Sequence, residues 1–149
     1  MISIAVCDDN EITAQEISEK VKQCCPIEAE VSVFYHIKDI LFSIHNENKL
    51  FDIIFMDIEF DVSSGIEASK QINAWHPDCQ IIYITNYTNY FTSVYETSHI
   101  YYILKKLSEK KYCFFLFNHI FTIFLAFLFF PQLYLSPMII FLMSELHAL

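Results

Sequence analysis

Five short apolar runs alternate with amphipathic stretches over residues 1–112, and this alternation predicts most of the architecture. Ile2–Val6 (ISIAV), Phe51–Met56 (FDIIFM), Ile81–Ile84 (IIYI) and Ile100–Leu104 (IYYIL) are too short and too uniformly apolar for surface helices. Glu30–Tyr35 alternates Val31, Val33 and Tyr35 with other side chains and predicts the second strand in chain order. Between these runs, Glu11–Cys24 carries Ile12, Ile17 and Val21 at near-helical spacing behind Asn10, a good N-cap. Ile37–His45 predicts a short helix bearing Ile40, Leu41 and Ile44. Another helix runs from Gly65 to Trp75 with Ile66, Ala68 and Ile72 inward, and His76-Pro77-Asp78 ends it. Tyr87–Thr97 predicts a further, tyrosine-rich helix. The third strand has no charge after Asp52, as expected of a central strand covered on both faces. Strand–helix alternation of this kind predicts an α/β, doubly wound parallel sheet of five strands.

The pattern stops at Cys113. Residues 113–149 hold no lysine or arginine, a single acid (Glu145) and nine of the fifteen phenylalanines, with no amphipathic helical period. Three readings of this hydrophobic tail stay open. It is compatible with a membrane span through 113–134, behind the lysines 105, 106, 110 and 111. It equally fits a fifth helix with an apolar addition, or a remnant translated in a shifted frame.

Composition removes several function classes. The net charge is −9 and all nine basic residues are lysines, so direct binding of nucleic acid is not expected. The five cysteines show no paired metal-ligand spacing; Cys7 and Cys79 read as small core residues, and Cys24–Cys25 as a helix end. Six scattered histidines offer no zinc pair. The tyrosines from Tyr83 to Tyr102 suggest a partner-binding face. Met1–Val6 runs directly into an acidic pair, so no signal peptide is expected and the location is expected to be cytoplasmic, with membrane association only through the tail.

The chemistry lies just past the strands. Asp8 and Asp9 follow the first strand, Asp57 the third, Thr85 the fourth and Lys105 the fifth. In an open parallel sheet these positions converge on one crevice. Carboxylates there suit Mg²⁺, which takes oxygen ligands and keeps several waters. Lys105 would hold a phosphoryl oxygen, Thr85 would donate to another, and Asp57 would be the covalent acceptor.

The segments IAVCDDN, DIIFMDIEF, SSGIEASKQI, IIYIT and YYILKK resemble a response-regulator receiver domain, in wording closest to receivers that precede a LytTR-type DNA-binding domain. The resemblance covers residues 1–112 and implies a flavodoxin-like sheet of order 2-1-3-4-5. It implies that Asp57 is phosphorylated by a histidine kinase or a small acyl phosphate, making the chain a phosphoacceptor rather than a conventional enzyme. Asp9 and the Glu59 backbone carbonyl would bind Mg²⁺ directly, with Asp8 supporting through water. Thr85 and Tyr102 would form the switch pair, and the helix 4–strand 5–helix 5 face would respond, as a dimer surface among other uses. Four positions depart from the family pattern: Asp61, Ser64, Asn86 and Lys106. The output domain carried by such relatives is not evident after residue 112.

Overall fold

A computed structural model of the chain describes residues 1–25, 28–60, 64–86 and 99–105, with backbone alone at 99–102 and 104. The elements are β1 (Ile2–Cys7), α1 (Glu11–Cys24), β2 (Ala29–Phe34), α2 (Ile37–His45), β3 (Ile53–Met56), α3 (Gly65–Trp75), β4 (Gln80–Thr85) and β5 (His99–Leu104). The five strands form one sheet in the order β2-β1-β3-β4-β5, parallel throughout. The expected Tyr87–Thr97 helix and the tail at 113–149 lie outside the described residues. Among the described residues no helix is long and apolar enough to cross a membrane.

Alternation along each strand feeds two cores. Ile53 and Phe55 of β3 face one side with Ile4, Val6, Ile82, Ile84 and Ile103, covered by Ala14, Ile17 and Val21 of α1. Ile54 and Met56 face the other with Ala5, Cys7, Ile81 and Tyr83, covered by Ile40 and Ile44 of α2 and by Ile66, Ala68 and Ile72 of α3. A strand between two helix layers needs apolar residues at every position, and all four residues of β3 are buried.

Three expectations shift. The third strand begins at Ile53 rather than Phe51, because Asp52 ties the chain crosswise: its Oδ2 accepts from the Ser3 amide at 2.7 Å and its own amide donates to the Ser3 carbonyl at 2.8 Å. Phe51 still packs into the core, edge-on to Phe34. Ile12 is 73% exposed; the inner face of α1 is Ala14, Ile17, Val21 and Cys24 instead. Tyr83 is fully buried, so it belongs to the core and not to a partner-binding face. Asn10 does cap α1, its side chain accepting from the Thr13 amide at 3.0 Å.

Candidate functional site

The parallel register delivers the polar residues to one edge of the sheet. Pairing of Cys7 with Met56, and of Met56 with Tyr83, leaves Asp8 and Asp57 one step beyond neighbouring strands, with Thr85 ending the next. Backbone bonds carry each strand end past the ladder: the Asp8 amide donates to the Phe34 carbonyl (3.1 Å), Asp57 to Cys7 (2.9 Å) and Lys105 to Thr85 (2.9 Å). The acids and the lysine are thus held by main chain before any side-chain contact forms.

Carboxylate oxygens of Asp8, Asp9 and Asp57 all lie within 4.8 Å of one another. Asp8 and Asp57 are buried, at 1% and 7% exposure, while Asp9 faces solvent. The Lys105 ammonium sits 2.6 Å from Asp57 Oδ2 and 2.6 Å from Asp8 Oδ2. It donates a hydrogen bond to Asp57; the approach to Asp8 is a charge contact whose angles leave Asp8 Oδ2 without a formal hydrogen-bond donor. Asp57 Oδ1 accepts from the Ile58 amide at 2.7 Å, and Asp8 Oδ1 from the Asn10 amide at 3.0 Å.

Burial pushes the Asp57 carboxyl up, and Asp8 adds to this; the hydrogen bond and charge of Lys105 oppose it without fully cancelling it. For Lys105 burial acts downward, but the hydrogen bond to Asp57, the close contact with Asp8 and the charges of both acids outweigh it, so its pKa is raised. The Cys7 thiol, beneath the acids, is pushed up by burial and then by Asp8 and Asp57. It is a packing residue and not a nucleophile.

The donors fit Mg²⁺. All are hard oxygens, and two ligands across such an ion stand only about 4.2 Å apart. Three carboxylates against one ammonium leave local negative charge for a cation to offset, and buried Asp8 Oδ2 still has an acceptor position to fill. Asp8, Asp9 and Asp57 would hold the ion, which would neutralise charge on an incoming phosphoryl group.

Five of the residues singled out from sequence therefore meet at this edge: Asp8, Asp9, Asp57, Lys105 and Thr85, the last fully buried. Glu59 stands two residues past Asp57, its strand path closed by an antiparallel bridge to Ser64. The Tyr102 side chain, Asp61 and Lys106 lie outside the described residues.

Sequence reasoning missed the role of Gly65, the single glycine of the chain and the first residue of α3. A β-carbon built on it would fall 1.8 Å from the Asp57 carbonyl oxygen. The signal was available, since one glycine in 149 residues invites a steric reason.

Residues 4–113 match the response regulator receiver domain family. Solved structures of receivers share the fold at low identity. The receiver domain of DrrB, a Thermotoga maritima regulator, in a beryllofluoride-activated form is 22% identical, with a TM-score of 0.68, 82% of this chain covered and 98% of that one. The response regulatory domain of mrkE from Klebsiella pneumoniae is 21% identical, with a TM-score of 0.70 and coverage of 81% and 96%. A receiver domain from Clostridium thermocellum is 19% identical, with a TM-score of 0.68 and coverage of 85% and 99%. Comparison with curated protein sequences returns no match. With the family matched across most of its length, and acids and lysine gathered at the strand ends as phosphoacceptor chemistry requires, the chain belongs to the response regulator receiver family.

Proposed function

We propose that this chain accepts a phosphoryl group on Asp57 and uses it to bias a protein surface. The observation that carries the proposal is the Lys105 ammonium between Asp57 and Asp8, 2.6 Å from each, beside a carboxylate group suited to Mg²⁺. An Asp57 carboxylate oxygen attacks phosphorus, forming the acyl-phosphate bond. The P–N bond of a phosphohistidine, or the P–O bond of a small acyl phosphate, breaks. The leaving imidazole or carboxylate takes the electron pair, and the imidazole gains a proton. Catalysis is positioning plus charge neutralisation, with the new phosphoryl oxygens facing Lys105 and Thr85.

The donor is a histidine kinase, as for the family, and residues 1–112 form the receiver unit. Thr85 supports a switch because its strand end is bonded through the backbone to Lys105, so a shift at either is felt at the other. Tyr102 would follow Thr85, and the helix 4–strand 5–helix 5 face would carry the signal to a partner or a second copy. The sequence wording favours an ancestry among LytTR-type transcription regulators. The chain's role is that of a phosphoacceptor rather than an enzyme with a released product.

Exposure of the full chain to acetyl phosphate with Mg²⁺ should add one phosphoryl group, read by intact mass. Asp57→Asn should abolish the gain, and Asp9→Ala should weaken its Mg²⁺ dependence. Undiminished labelling of Asp57→Asn would refute the assignment; a parent chain that takes no label would favour a non-phosphorylated interaction module.

A further inference from the structure

Gly65 opens α3 directly against the backbone of the acceptor residue. Its amide donates to the Ile58 carbonyl at 2.9 Å, closing the loop that leaves Asp57 and returns to the helix. Ser64 caps the helix, its side chain accepting from the Ile66 amide at 3.2 Å, and the buried Ser69 hydroxyl donates to the Gly65 carbonyl at 2.7 Å. The helix start is therefore clamped on both sides. A β-carbon at 65 would lie 1.8 Å from the Asp57 carbonyl oxygen, 2.9 Å from its carbonyl carbon and 3.0 Å from Met56 Cγ. The φ of Gly65 is not positive, so the demand for glycine here is one of space and not of backbone conformation.

We propose that Gly65 is a positioning residue for phosphoryl transfer: its missing side chain lets α3 close on the Asp57 carbonyl and fixes the acceptor carboxylate relative to Lys105 and Asp8. This rests on the phosphoacceptor reading above. Relief of the clash to an ordinary contact of about 3.5 Å moves the Asp57 backbone or the helix start by more than 1 Å. The carboxylate, anchored to that backbone through the Ile58 amide, moves with it. Misplacement by about 1 Å can cost a reacting group on the order of 100-fold in rate.

The test compares Gly65→Ala with Ser69→Ala in the full chain, measuring urea unfolding and labelling by acetyl phosphate in Mg²⁺ across donor concentrations. Ser69→Ala loosens the first turn of α3 without adding an atom near Asp57, so it should lose stability yet label within about twofold of the parent. Gly65→Ala should lose roughly 100-fold in the saturated labelling rate, with the donor concentration at half-saturation little changed. Labelling is also measured in sucrose, which favours the compact state should the variant be weakly folded. A folded Gly65→Ala that labels like the parent, or a rate loss matched by Ser69→Ala, overturns the inference. Failure to fold even in sucrose also overturns it, by making the clash a general packing defect. An unlabelled parent would instead overturn the phosphoacceptor reading itself.

Discussion

Replacing Lys105 with methionine removes the cation from a site built around it. Met fills nearly the same length with apolar atoms, so the perturbation is mainly electrostatic. The parent side chain is only 12% exposed, and the Asp8 and Asp57 side chains it contacts are 1% and 8% exposed, so solvent cannot replace the lost charge. Removing one partner of a buried ion pair costs about 3–5 kcal/mol. Asp57 limits the penalty, because it can take up a proton, and a tenfold rise in its proton affinity is worth about 1.4 kcal/mol. Its carboxyl is already raised by burial and rises further once the lysine's hydrogen bond and charge are gone. A loss of about 3 kcal/mol is therefore expected near pH 7.5 in EDTA, a fall of about 2 M in the urea midpoint for an ordinary slope. The pH dependence follows from the direction in which the carboxyl is moved. A folded-state carboxyl above its unfolded value binds more protons in the folded state, so stability falls as pH rises from the unfolded value of 3.8 through the folded one. The variant should recover much of its deficit on acidification, and part of it on adding Mg²⁺, which on the proposed reading would bind the folded acid group and not the unfolded chain. The lysine works in the opposite range: raised above 10.5, its contribution is complete below that value and is lost as pH climbs through the folded pKa, a loss the variant lacks. A deficit under about 1 kcal/mol in EDTA, or one indifferent to both pH and Mg²⁺, would refute the reasoning.

Two further outcomes test the packing. Ile12→Ser should change stability by no more than about 0.5 kcal/mol, while Ile17→Ala, beneath the same helix, should cost about 2–4 kcal/mol in urea unfolding. Site-resolved thiol labelling of the native chain should mark Cys25 and spare Cys7 and Cys79 until the protein unfolds; both spared thiols are buried, and burial followed by Asp52 pushes Cys79 up to about 12. Equal labelling of Cys79 and Cys25 in the native state would contradict the core assignment.

The sheet and the polar residues gathered at its edge were legible in the sequence because both depend on local pattern. A strand covered on two faces must be apolar at every position, and Ile53–Met56 is. Parallel strands place all their downstream ends at one edge, so Asp8, Asp57, Thr85 and Lys105 declared a shared site once the strands were recognised. Helix faces were less legible. Ile12 stands about 140° around the helix from Ile17, whereas Ala14, at spacing three, is the true neighbour, and its small side chain gave little hydrophobic signal. Only the tertiary structure decided that one ammonium bridges Asp8 and Asp57, and that Gly65 presses its helix against the Asp57 carbonyl. Those contacts join residues brought together by strand register and helix placement, and their distances are set by packing along the whole sheet. Sequence pattern could therefore name the groups, while the fold alone determined how closely they meet.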